Sequence, residues 1–100
     1  MDFEWDESKR QDVVRKRSVD ILYAALIFDG PILTRIDSRK DYGEERKISI
    51  GMIEDECFVV VYTERDGGIR LITAWKGGRH ERSSYQASLA RGNPEDEGKG

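Results

Sequence analysis

One cysteine and one histidine among 100 residues leave this chain poor in soft metal ligands. Cys57 has no partner for an intramolecular disulfide, and a zinc cage would find only Cys57 and His80, so neither a metal nor any other cofactor is expected. Long apolar runs are also missing. The run that contains Tyr23 to Phe28 is far short of the roughly 20 residues needed to cross a bilayer. The first residues are acidic, unlike a basic leader with an apolar centre, so the reading is a cytoplasmic protein in a reducing compartment with no membrane partner. The chain has no Gly-rich phosphate loop, no nucleophile elbow, no CxxC pair and no internal repeat. This removes P-loop nucleotide hydrolysis, serine-hydrolase chemistry, thiol–disulfide exchange and solenoid architectures.

What remains is a globular composition in which charged and hydrophobic residues are equally abundant, at 37% each. A chain this short buries about two thirds of its unfolded surface, which limits it to one modest core. The net charge of −3 hides an uneven distribution. Asp2, Glu4, Asp6 and Glu7 make the start acidic, and Glu95, Asp96 and Glu97 do the same for the end. Between Lys9 and Arg91 there are 16 basic and 13 acidic residues, so the body of the domain is able to present a cationic face despite the overall sign.

Residues 8–17 favour helix, with Val13 and Val14 as a narrow apolar contact. A second helix is marked by Val19, Leu22, Tyr23, Leu26 and Ile27 at the spacing of one buried face, with Ser18 as its cap. Gly30 and Pro31 end it. A short strand over 32–36 precedes a charged loop over 37–45. Ile48, Ile50 and Met52 then alternate with polar or small residues, Glu54-Asp55 turns the chain, and Phe58 to Tyr62 suits the centre of a sheet. Asp66-Gly67-Gly68 marks a second tight turn into a strand over 69–75. Helical composition returns from Arg79 to about Ala90, with Tyr85 and Leu89 as the packing edge. Gly92 to Gly100 reads as a flexible acidic tail. The expectation is an α+β domain over residues 1–91 followed by a tail over 92–100.

The candidate chemistry lies between Arg70 and Tyr85. Simple alternation places Arg70, Ile72 and Ala74 on one side of the last strand and Leu71, Thr73 and Trp75 on the other. Lys76, Arg79, His80, Glu81 and Arg82 follow where strand meets helix. Cations there, with the backbone N–H groups of a helix start, make a phosphate-binding corner, although a solvated strand-to-helix junction has the same composition. His80 is the side chain type best suited to move protons near neutrality. Glu81 is either a general base or an acid placed favourably at a helix start. Tyr85 and Trp75 are either stacking platforms or core.

Several segments together resemble the BrnT family of bacterial toxins. They are FEWDESK at Phe3 to Lys9, the basic motif at Lys16-Arg17, GEERK at Gly43 to Lys47, VVVYTER at Val59 to Arg65, and RLITAWKGGRHERSSY at Arg70 to Tyr85. The resemblance implies a RelE-like fold with two amino-terminal helices, a three- or four-stranded antiparallel sheet and a carboxy-terminal helix. It also implies a metal-independent endoribonuclease in which the RNA's own 2′-hydroxyl attacks the adjacent phosphate. Arg70, Lys76 and Arg79 would then bind phosphate and His80 or Glu81 would handle protons, with Lys16, Arg17, Arg46, Arg65 and Tyr85 contacting RNA. A BrnA antitoxin carrying a ribbon-helix-helix DNA-binding domain is the implied partner, in a two-plus-two complex that meets DNA only through the antitoxin.

Two segments depart from the family pattern, and Val13 stands where a polar Asn is common. Lys16-Arg17-Ser18 replaces the usual Lys-His-Gly, and Thr73-Ala74-Trp75 replaces Ser-Ala-Arg, exchanging a guanidinium for an indole with one N–H donor. A second reading therefore stays open, in which the chain binds its antitoxin on an operator but cuts RNA poorly.

Overall fold

The structure is a computed structural model and describes residues 2–92, so the tail expected over 92–100 lies, apart from Gly92, outside the described residues. In chain order the elements are β1 (Phe3–Glu4), α1 (Glu7–Arg17), α2 (Ile21–Ala24) continuing as a 3-10 helix (Ala25–Asp29), β2 (Leu33–Ile36), β3 (Lys47–Ile53), β4 (Glu56–Arg65), β5 (Gly68–Lys76) and α3 (Arg79–Ala90). The sheet has five strands in the order β1-β5-β4-β3-β2. Strands β2 to β5 form an antiparallel meander, and β1 adds in parallel to β5 through Phe3↔Ile69 and Glu4↔Arg70. The three- or four-stranded antiparallel sheet expected from the RelE-like resemblance is thus a mixed sheet of five. Two residues were too short a run to announce β1 by alternation.

β4 organises the core because both of its faces are covered. Phe58, Val60 and Tyr62 join Val13, Val19, Ile21, Ala24, Ala25, Ile27, Ile69, Leu71 and Ala74 in one cluster under α1 and α2. Cys57, Val59 and Val61 join Ile48, Ile50, Ile72 and Tyr85 in the other, under α3. Each such valine, fully withdrawn from water, contributes about 1.5–3 kcal/mol. The β4–β5 hairpin turns on Asp66 and Gly67, both at positive φ (50° and 80°), a two-residue turn whose twist matches the strands it joins.

The expected alternation of β5 is broken. Val61 pairs with Thr73 and Tyr62 with Leu71, so Ile72 is an extra residue without a partner across the ladder. This β-bulge shifts the phase. Ala74 lies with Leu71 on the α1–α2 side, while Ile72 and Trp75 join the α3 side. Arg70 and Ala74 therefore do not share a face as simple alternation predicts.

The second helix is also corrected. Its buried residues are Ile21, Ala24, Ala25 and Ile27, whereas Tyr23 and Leu26 are exposed. The change to 3-10 geometry, with three residues per turn, selects every third residue and rotates the stripe away from a 3.6-residue period. Ser18 does not cap α2. It stands at φ 57° and closes α1 in the left-handed conformation, while the Asp20 carboxylate caps α2 by accepting from Leu22 N at 2.9 Å. At the other end of the chain Ser88, not Leu89, packs inward beside Tyr85.

Asp20 also holds α1, since Arg10 Nε and Nη2 donate to its two oxygens at 2.9 and 2.8 Å. Arg10 holds the Asp20 carboxyl below its ordinary pKa. Asp20→Ala is expected to lose at least the cap, about 1 kcal/mol, which for a domain of this size lowers Tm by about 4–8 °C. Thermal denaturation followed by circular dichroism measures this, and an unchanged Tm would remove Asp20 from the α1–α2 junction.

Candidate functional site

The side chains expected to form one phosphate corner are distributed over three places. Arg70 and Lys76 lie six residues apart on β5, about 20 Å at the rise of a strand, so they do not meet at one phosphate. Arg70, part-buried, lines a cavity of about 200 Å³ with Arg46, Lys9, Asp6, Leu71 and Ile72. Lys16 and Arg17 line another of about 400 Å³ beside Thr73. His80 and Glu81 line a groove of about 420 Å³ between α3 and the β2–β3 edge, with Arg35 and Ser84.

Other expected residues have different employment. Lys76 Nζ pairs with Glu56 at 2.9 Å and Arg65 Nε approaches Glu4 at 3.9 Å, both at the surface. Arg79 is exposed on the first turn of α3. Tyr85 is only 3% exposed and its hydroxyl donates to the Pro31 carbonyl at 2.7 Å. It anchors α3 to the start of β2 and has no ring face left for a base; burial raises its pKa. Glu81 Oε1 accepts from Gly78 N at 2.6 Å and caps α3, so its carboxylate already occupies one backbone donor at this helix start and adds negative charge there. Gly78, lacking a side chain, cannot return the bond. Arg82 donates to the Asp55 carbonyl. Burial pushes the Cys57 thiol up, away from a reactive thiolate.

The structure adds residues that the charged loop over 37–45 concealed. Asp37 accepts from Arg39 Nε and Nη2 at 2.8 and 2.9 Å and from Arg39 N at 3.2 Å. The Arg39 guanidinium beside it holds the Asp37 carboxyl well below the usual carboxylate range. The same guanidinium lies 5.7 Å from the centroid of the Trp75 ring, and that of Arg17 lies 5.2 Å away. Farther along the loop, Arg46 lies 4.0 Å and Lys40 5.4 Å from the ring of Tyr42. An Asp-x-Arg triplet in a polar loop is too common a pattern to mark either residue from sequence.

Trp75, Ile72 and the α3 cluster share one sheet face, and Arg46 and Arg70 line a cavity that includes Ile72. Two aromatic rings, Trp75 and Tyr42, thus each carry two nearby cations, Arg17 with Arg39 and Lys40 with Arg46. Among the described residues, Arg17 and Arg70 have no carboxylate partner. Such a surface binds phosphodiesters through its guanidinium groups and bases through its rings.

Residues 5–81 match the family model described as the ribonuclease toxin, BrnT, of type II toxin-antitoxin systems. The chain belongs to the BrnT family. It is accordingly a ribonuclease toxin of a type II toxin–antitoxin system, with RNA as substrate and an antitoxin as partner. No curated protein matches the chain. The matched span holds Arg17, Arg39, Arg46, Arg70, Trp75, Lys76, Arg79, His80 and Glu81, and ends before Tyr85. Arg17 and Trp75, two of the departures from the expected pattern, lie together, the guanidinium 5.2 Å from the ring centroid. No helix of the described residues is long and apolar enough to cross a membrane.

Proposed function

We propose that this BrnT-family chain is an endoribonuclease that needs no metal, because the RNA supplies its own nucleophile. The 2′-hydroxyl attacks the adjacent phosphorus, its proton passes to a base, and the bond to O5′ breaks as that oxygen takes up a proton. The products are a 2′,3′-cyclic phosphate and a 5′-hydroxyl. The protein's task is to place the strand and stabilise the charge of the phosphorane. The observation that carries this reading is Arg70, a part-buried guanidinium with no carboxylate partner among the described residues, beside Arg46 and Lys9. With no carboxylate to satisfy it, its guanidinium fork is available to match two phosphate oxygens.

Glu81 is engaged as a cap, and His80 on the first turn of α3 lines the α3 groove and not the Arg70 cavity, so neither is assigned as the base for a phosphate held by Arg70. Arg79 at the same turn, and Arg17 with Lys16 at the end of α1, extend the path of the strand. Lys76 and Arg65, each beside a carboxylate at the surface, play the smaller part. The antitoxin is of the BrnA type, its ribbon-helix-helix domain carries the complex to DNA, and the assembly is two-plus-two.

Purified chain without antitoxin is expected to cut single-stranded RNA in the presence of EDTA and to leave 2′,3′-cyclic phosphate ends, read by gel and mass spectrometry. Its expression alone is expected to arrest a bacterial host. RNA left intact, with no growth arrest, would reject this reading and leave a toxin-fold protein that binds its antitoxin without cutting.

A further inference from the structure

The Asp37 side chain is fully buried, yet it gives both oxygens to an arginine that remains 58% exposed. Desolvating a carboxylate in order to hold a surface side chain does little for the core. What it does is fix a guanidinium in place. That guanidinium and the one on Arg17, which has no hydrogen-bond or carboxylate partner among the described residues, both sit at cation–π distance from Trp75. Trp75 itself is part-buried against Val59, Ile72 and the rest of the α3-side cluster, so its ring has a firm base. Tyr42, next along the loop, is flanked in the same way by Lys40 and Arg46. Ring and cation alternate twice across one surface, the arrangement by which single strands are held through stacked bases and neutralised phosphates.

Resting on the ribonuclease reading, we propose that Trp75 is the stacking platform of a single-stranded RNA subsite, with one base on the indole and its flanking phosphates on Arg39 and Arg17. Tyr42, between Lys40 and Arg46, takes a neighbouring base. Arg17 moves from the ring to the phosphate as the base arrives, whereas Arg39 is held by Asp37 throughout. Asp37 is thus a positioning residue. An acidic peptide would use the guanidinium groups but leave both rings idle, which is why a nucleic acid is favoured over a protein ligand at this cluster.

The test uses the full chain in a Trp5→Phe background, so that Trp75 is the sole indole emitter. The probe is a mixed-sequence 2′-O-methyl RNA dodecamer, which cannot be cut by 2′-hydroxyl attack, together with an abasic strand of equal length. The dodecamer is expected to quench Trp75 emission and to bind about tenfold to a hundredfold more tightly than the abasic strand. Trp75→Ala, measured by anisotropy of labelled probe, is expected to lose that preference, while Trp75→Phe keeps part of it. Arg39→Gln and Arg17→Gln are expected to weaken both probes and to reduce the salt dependence. Melting curves show which variants are folded, and the Phe variant covers the case in which the alanine is not.

Equal binding of both probes, with no quenching, overturns the subsite even if unmodified RNA is still cleaved, and the ribonuclease reading then stands without it. Quenching by the dodecamer in a chain that cuts no RNA upholds the subsite and rejects the nuclease. Quenching by the antitoxin but not by the dodecamer assigns the cluster to the protein partner and overturns the proposal.

Discussion

Arg70→Ala is expected to lower RNA cleavage by roughly a hundredfold or more, the usual cost of removing a preorganised donor from developing charge. Arg70 is well placed for that role because its backbone is held from both sides, by Glu4 of β1 and by Thr63 of β4. Its side chain leaves the middle of a sheet row, where little reorganisation is possible. Arg70→Lys keeps the charge but loses the two-pronged geometry and should fall between wild type and alanine. Arg46→Ala should cost less than Arg70→Ala, since Arg46 already shares its charge with Glu44 at 3.1 Å and with the Tyr42 ring. The measurement is kcat/KM on end-labelled RNA in EDTA, with Tm recorded for each variant. A folded Arg70→Ala protein that cuts at the wild-type rate would remove Arg70 from the site.

Gly51→Ala is expected to produce the largest loss of stability of any single methyl added to this sheet. A β-carbon at position 51 would lie 2.6 Å from Ile27 Cβ and 3.5 Å from Ile27 Cα. No rotamer of Ile27 relieves a contact with its own β-carbon. The 3-10 segment must instead move away from β3, opening the core it closes, at a cost of about 1–3 kcal/mol and about 4–8 °C of Tm per kcal/mol. Trimming Ile27 to alanine keeps the offending carbon, so the Gly51→Ala/Ile27→Ala double variant should be no more stable than Ile27→Ala alone. Denaturant melts decide this, and a Gly51→Ala protein of wild-type stability would mean that the helix packs less closely than the structure places it.

The strands were legible because both faces of β4 are covered, which turns Phe58 to Tyr62 into an unbroken apolar run, and because Asp66-Gly67 allows few conformations besides a tight hairpin. The bulge at Ile72 was not legible. An extra residue looks the same as its neighbours until the partner strand is known, and with it went the facing of Ala74. The stripe of the second helix failed for a related reason, since its 3.6-residue period was assumed where the chain tightens to three. At the site, Arg70 and Arg46 line one cavity and Arg17 another, whereas Tyr85, expected to contact RNA or else to be core, is core. Arg39 was hidden because its importance comes from the burial of Asp37, and burial is a property of the packed chain. Trp75, which the sequence presented as the loss of a charge, stands between two of them.

The pairing of β1 with β5 bears on when this protein becomes complete during synthesis. Phe3 and Glu4 are made well before their strand partners, Ile69 and Arg70. The meander from β2 to β5 can zip through short turns, but the outer strand must wait for a partner more than sixty residues later, the kind of distant closure that slows folding. Arg70 enters the chain at the same late point. A nascent chain therefore cannot close its sheet until β5 has been made, and Arg70 arrives with the strand that closes it.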